Sequence, residues 1–426
     1  MTTVKEEMYD VLIVGAGLAG LSAAKVIDST ELSYCVLEAA ERAGGKVKSG
    51  CNNQGDYCLE LGAQFVNPDM TEMVRLIEES GMTLSETETG AGSVFLNAKT
   101  LSPINDFIES VEEKLGREDR KGKRSLSETI EGWKISEEEK RIAKSFFTEE
   151  ATVDTDSILA DSFFDVSERY ESQLDDLSHQ ASGQLNTLID HMIESLKQPV
   201  LFNHAVDSVS KQADSYKVTV SSGQSYYAKA VIIAIPPTVA KAVAFDEQLS
   251  EYYQPLLDSY VDGAVIKHTF SYPKAFWQEL ELKDSLVSVE GVVFSNYRGL
   301  SISDSSKKGE APRLTAFTGG DLARKWAKKT EDERKMFVLE RLSSVFGKRA
   351  GSYTDFRESI WVDHPYCGGG YSAQIHTKGH PDAAHKLRSP HGQVVFASTE
   401  VAEAFPGFME GAVRSGKRAA KAIIKN

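Results

Sequence analysis

The apolar positions of this chain follow two rhythms that alternate. Tyr9–Val14 is a short apolar run rich in β-formers, the pattern of a strand buried on both faces. From Leu21 to about Ser29 the apolar spacing becomes helical, and Ser33–Leu37 returns to strand. The same alternation recurs later: a helix over Leu185–Leu196, strands over Lys217–Val220 and Ala228–Ile235 ending at Pro236-Pro237, a strand over Gln393–Ala397, and a helix over Met409–Ile424. Between these blocks, residues 85–181 are rich in helix formers and acids. Residues 256–363 mix strands with one clear helix, opened by a capping box at Thr330–Glu333 and stopped at Gly347. The pattern predicts an α/β chain with one discontinuous domain (1–84, 182–255 and 364–426). A second domain (85–181 and 256–363) is inserted into it twice, and the active site is expected between the two.

The first turn carries chemistry. Val14 is followed by Gly15-Ala-Gly17-Leu-Ala19-Gly20, and the second strand ends at Glu38. Gly15 suits a tight turn, Gly17 lets backbone approach a pyrophosphate, and Gly20 lets helix and strand pack closely. The helix N-terminus presents N–H groups and a positive dipole end to phosphates. Glu38 is the acid expected about 20 residues downstream, placed to accept hydrogen bonds from ribose hydroxyls. Its charge would repel a 2′-phosphate. Strand, helix, spacing and acid together predict a dinucleotide site rather than a merely structural turn.

Composition narrows the setting. A chain of 426 residues, 41% hydrophobic, can bury two cores. No apolar run reaches the roughly 20 residues that span a bilayer, and the polar stretch Met1–Asp10 does not resemble a signal peptide. The cysteines Cys35, Cys51, Cys58 and Cys367 form no C-x-x-C pair; we read them as reduced thiols and expect a cytoplasmic location, although Cys51 and Cys58 flank a short loop within which they could meet. No His/Cys cluster has metal-ligand spacing. A net charge of −15 argues against nucleic acid or anionic membrane as partners; taken alone it reads first as solubility, with a modest pull on cationic substrates. The mixed-charge run Glu112–Arg124 reads as a solvated face.

Motifs spread from one end to the other resemble the flavin-dependent amine oxidase family, its monoamine oxidase branch in particular. Glu38…Arg42-Ala-Gly44-Gly45-Lys46 is similar to the family's E-x-x-x-R-x-G-G-R, with Lys46 where Arg is usual. Glu60-Leu-Gly62-Ala63-Gln64 resembles its D-x-G-A segment. Asn203-His-Ala-Val206 resembles the stretch whose Val backbone meets the adenine, and Gly263-Ala-Val-Ile-Lys267 the strand of the active-site lysine. Trp361…Gly369-Gly370-Tyr371 and Ser398-Thr-Glu400…Gly407-Phe408-Met409-Glu410-Gly411-Ala412 resemble the last two flavin motifs.

The resemblance implies a Rossmann-type FAD-binding domain, discontinuous, with an inserted α+β substrate-binding domain. It implies oxidation of a C–H beside an amine nitrogen, hydride passing to flavin N5 to give an imine, then aldehyde and ammonia, with oxygen converted to hydrogen peroxide. Cofactor contacts are expected from Gly15, Gly17, Ala19, Gly20, Glu38, Ala39, Arg42, Gly45, Lys46, Gly62, Ala63, Gln64, Val206, Trp361, Ser398, Glu400, Gly407, Phe408 and Met409. Lys267 would hold a water near N5 and aid oxygen; a lysine in an apolar strand needs a partner, unless it sits at a sheet edge. Tyr371 and Phe408 would flank the amine on the flavin face, with Trp361 beside Tyr371. The helix from Gly407 would aim its dipole at the flavin's pyrimidine edge. Where monoamine oxidases bond flavin to a cysteine this chain has Gly370, so the FAD is expected to be non-covalent.

Other readings share this frame. An L-amino-acid oxidase needs a cation for the substrate carboxylate, and the position where that branch has Arg is Phe65. A polyamine or diamine oxidase needs acids along its tunnel. A desaturase or porphyrinogen oxidase would lack the Lys267 motif, and an inactive FAD-bound binding protein would lose Lys267 and the aromatic pair. Phe65, Phe270, Phe276 and Trp277 suggest an apolar, aromatic-lined substrate wall, or for most of them ordinary core.

Overall fold

Met8–Val14 forms the central strand of an eight-stranded sheet, with parallel neighbours Tyr34–Leu37 on one side and Ser225–Ile233 on the other. The computed structural model describes residues 8–51, 58–88, 93–97, 99–103, 122–172, 174, 177–282 and 285–425. All of the mixed-charge run Glu112–Arg124 except its last three residues lies outside the described residues.

Val200–Leu201 extends the sheet beyond Tyr34–Leu37. On the far side Ser225–Ile233 pairs along one edge with Tyr216–Val220 and then, in parallel, with Val394–Phe396. Val206–Lys211 and Ala244–Phe245 complete it. Val11–Val14 and Tyr34–Leu37 are buried on both faces, as a parallel sheet covered by helices requires. The first helix, Leu18–Asp28, starts three residues before the predicted Leu21, because extended Gly17 (φ −74°, ψ 179°) is its N-cap and Gly20 lies inside the first turn. Helix Met409–Lys425 covers the same face, its Val413, Ala419 and Ala420 sharing a core with Leu18, Leu21 and Ala24.

The second sheet has seven strands in the order Asp355–Ile360, Val265–Ser271, Arg313–Gly319, Leu300–Asp304, Gly291–Val293, Ser93–Leu96, Thr100–Pro103. Its pairings are antiparallel except Gly291–Val293 with Ser93–Leu96. Helix Glu137–Ala151 packs on it. That helix opens with a capping box of the kind predicted, and found, at Thr330 and Glu333 for Glu331–Phe346. The strands Ser93–Leu96 and Thr100–Pro103 fall in the region that the sequence marks as helical.

Candidate active site

The expected site residues converge. A cavity of about 720 Å³ is lined by all of them except Gly20, whose place is structural. A Cβ on Gly20 would stand 1.9 Å from the Gly15 carbonyl oxygen, so only glycine lets the helix cross the strand end here. Gly15 itself has φ +99°, the left-handed region.

One end of the cavity suits a dinucleotide. Glu38 receives the N–H of Ala16 at 2.7 Å and of Ala40 at 2.9 Å, which fixes its carboxylate on the wall. Burial still pushes its pKa up. Ala19, Ala39 and Val206 line the cavity by this acid, and helix Leu18–Asp28 begins at its edge without a side-chain cap. Arg42 braces the loop that follows, donating to the carbonyls of Ala43, Val47 and Gly45 at 2.9, 3.0 and 2.7 Å. Lys46 donates to the Tyr371 carbonyl at 2.9 Å and lies 3.8 Å from Glu400. Glu400 accepts from the Ala373 N–H at 3.1 Å, while its second oxygen and the Ser398 hydroxyl are buried with no hydrogen-bond partner among the described residues. Buried polar atoms rarely stay unsatisfied, so two such atoms on one cavity wall fit a ligand rich in hydroxyls and phosphates. Exchanging Glu38 for alanine removes a charged acceptor. We expect a roughly 10- to 100-fold weaker affinity for the dinucleotide, readable by titrating apoprotein and following tryptophan quenching.

The centre is organised by Lys267. It lies on Val265–Ser271, which runs between two other strands and is buried at every position, so the edge-strand alternative fails. Its Nζ donates to the carbonyls of Glu60 at 2.6 Å and Gly62 at 3.1 Å, and to Gln64 Oε1 at 2.6 Å. Gln64 passes the contact on, donating to Gln180 Oε1 at 2.7 Å. Burial pushes the Lys267 pKa down to about 7, opposed by the nearby Glu60 carboxylate. Trp361 donates to the Leu61 carbonyl at 2.9 Å and packs with Val265, Cys367 and Tyr371. The segment 60–64, Trp361 and Lys267 therefore hold one another.

The remaining wall comes from the second sheet and its helices. The Tyr371 hydroxyl donates to Glu149 Oε1 at 2.8 Å, and its ring meets Phe317 edge-on at 6.1 Å. Phe408 stacks on Tyr170 at 4.7 Å. Gly407 (φ +87°) turns the chain into helix Met409–Lys425, whose start lines the cavity. Glu149 is half-buried on the cavity wall; Ser301 donates to its other oxygen at 2.8 Å, and desolvation raises its pKa. Sequence reading missed Glu149, as it missed Tyr170 and Phe317. Of the four aromatics read as substrate wall or core, Phe270, Phe276 and Trp277 lie in the core of the second sheet, away from the cavity, whereas Phe65 lines it. Sequence reading also missed Glu410, which is wholly buried and accepts from the Glu72 and Met73 N–H groups at 3.2 and 2.8 Å, capping a neighbouring helix.

Comparison with known proteins agrees with this geometry. Residues 18–424 match the sequence model of the family "Flavin containing amine oxidoreductase". A flavin-containing amine oxidase of Danio rerio is 26% identical over 452 residues, covering 98% of this chain and 86% of its own length. Amine oxidase B of Sus scrofa is 26% identical over 451 residues, covering 97% and 86%. Among solved structures, cyclohexylamine oxidase from Brevibacterium oxydans superposes with a TM-score of 0.87 at 22% identity, covering 98% of this chain and 99% of its own. Putrescine oxidase bound to putrescine gives 0.85 at 23%, covering 99% and 100%. At this identity the two structures speak for the fold: a Rossmann-type cofactor domain with a substrate domain beside it. With the glycine turn, Glu38, the buried lysine and the terminal helix gathered on one cavity, and with the family match covering residues 18–424, this chain belongs to the flavin-containing amine oxidoreductases.

Proposed function

We propose that the protein is an oxidase of small-molecule amines that uses oxygen as acceptor and binds its FAD without a covalent bond. The observation that carries this reading is the charge of the cavity wall. The substrate side presents the carboxylates Glu149, Glu150 and Glu290 among apolar side chains. Among the described lining residues the arginine and lysines are Arg42, Lys46 and Lys267, and each directs its donors at backbone or amide oxygens. No bidentate clamp for a substrate carboxylate is built there, which disfavours an amino acid and favours a cationic amine. The apolar rings lower the amine's pKa by desolvation, so that the neutral, oxidisable form is reached inside the site.

FAD supplies the acceptor for the hydride equivalent that leaves the carbon beside nitrogen. The chain's own residues do the rest: Glu38, Ser398 and Glu400 hold cofactor hydroxyls, Tyr371 and Phe408 confine the amine, and Lys267 serves the step with oxygen. The product imine hydrolyses to aldehyde and ammonia. The strands of the eight-stranded sheet all come from segments 1–84, 182–255 and 364–426, and those of the seven-stranded sheet from 85–181 and 256–363. This supports assigning cofactor and substrate to those two sets. A diamine oxidase is the second reading, favoured by the same acids. The test is peroxide release in air from a panel of monoamines, diamines and L-amino acids, with flavin recovered in the supernatant after acid precipitation. Peroxide from amines and soluble flavin are expected; peroxide from amino acids alone, or flavin in the pellet, would overturn the corresponding part.

A further inference from the structure

Two sulfurs stand together near the Lys267 end of the site. Cys51 and Cys58 are direct cross-strand partners in the antiparallel pair Ser49–Cys51 and Cys58–Glu60. Directly opposed residues in such a pair have Cα atoms about 4.5–5.5 Å apart, inside the range a disulfide spans without moving backbone. Their sulfurs are in contact at 3.0 Å. Cys51 is exposed and Cys58 half-buried, whereas Cys35 and Cys367 are buried. The Gln184 amide donates to Cys58 Sγ at 2.7 Å and holds that sulfur beside Cys51, while burial and the Cys51 contact push the Cys58 pKa up to about 11. Two residues along the same strand, Glu60 gives its carbonyl to Lys267.

We propose that Cys51 and Cys58 form a peroxide-oxidisable dithiol site. The exposed Cys51 thiolate attacks hydrogen peroxide; the O–O bond breaks, hydroxide leaves and takes up a proton, and Cys51 becomes a sulfenic acid. Cys58 then attacks that sulfur and gives up its thiol proton; the S–S bond forms, the S–O bond breaks, and the departing hydroxide takes that proton to leave as water. Two thiols are oxidised and one peroxide is reduced to two waters. That the protein makes this peroxide itself rests on the oxidase reading; the pair's own chemistry does not.

The flavoprotein, isolated under reductant and freed of it, is treated with reagent hydrogen peroxide, quenched with N-ethylmaleimide and mapped by mass spectrometry. The expected result is an intramolecular Cys51–Cys58 cross-linked peptide, lighter by two hydrogens, reversed by dithiothreitol and absent in Cys51→Ser and Cys58→Ser. Alkylation of both cysteines after peroxide has oxidised added glutathione, sulfinic acids without a cross-link, or a disulfide only between molecules would each overturn the proposal. A parallel sample turns over an amine in air with and without catalase. Cross-linking that catalase prevents is expected. Turnover that releases peroxide without cross-linking overturns the link to the reaction. Failure of the oxidase reading shows separately, as no peroxide from any amine.

Discussion

Replacing Lys267 with methionine is expected to slow the reaction of the reduced flavin with oxygen by roughly 10²- to 10³-fold, the loss usual for one preorganised electrostatic group. Anaerobic reduction of the flavin by an amine should change little. Methionine keeps the length and apolar stem but gives up the contacts to Glu60, Gly62 and Gln64. The pH dependence supplies a second signature. With a pKa near 7, Lys267 is charged below that pH and neutral above it. Charge developing on oxygen is negative, so the wild-type reoxidation rate should rise as pH falls through about 7, and the methionine variant should be flat. Stopped-flow mixing of photoreduced enzyme with oxygenated buffer reads both. Equal reoxidation rates in the two proteins would remove Lys267 from the oxygen step.

The second large effect is expected at Glu149. Its carboxyl takes hydrogen bonds from Tyr371 and Ser301 and faces the cavity. Glu149→Gln keeps the volume and the Tyr371 hydrogen bond while removing the charge. It should lower kcat/KM for amines roughly 10- to 100-fold, the scale of a hydrogen bond to a charged group, with most of the loss in KM. Burial holds the Glu149 pKa above its ordinary value, so the acid limb of the kcat/KM profile carries its deprotonation. That limb should move to lower pH in the glutamine variant. A larger loss for diamines than for monoamines would place a second ammonium at Glu149; equal losses would place the reacting nitrogen nearer to it. An unchanged kcat/KM would leave Glu149 as a support for Tyr371 alone.

These two residues show what the sequence reveals. Gly15, Gly20, Glu38 and Gly407 are legible because local backbone geometry dictates them: a turn, a close crossing, an acid at a strand end, a left-handed residue before a helix. Lys267 is legible as a charge in an apolar strand, but its three partners lie about 200 residues earlier in the chain and no pattern links them. Glu149 is one of five glutamates on Glu137–Ala151, most of them exposed, and which one meets Tyr371 depends on how the helix settles on a distant sheet. Phe270, Phe276 and Trp277 show the converse limit. An aromatic run marks burial equally well for a packed core and for a cavity wall, and here it marks the core. The strands Ser93–Leu96 and Thr100–Pro103 are four residues each, too short for their pattern to stand out in a helix-rich region, and their pairing with Gly291–Val293 fixes them.

The central claim is that this cavity oxidises amines. Its most direct measurement is the visible spectrum of the holoenzyme during anaerobic titration with primary monoamines, diamines and L-amino acids. The account predicts that an amine bleaches the flavin band and that air restores it with release of hydrogen peroxide. Bleaching by L-amino acids and by no amine would contradict the reading of the cavity's charge, and a flavin that none of these compounds reduces would contradict the claim itself.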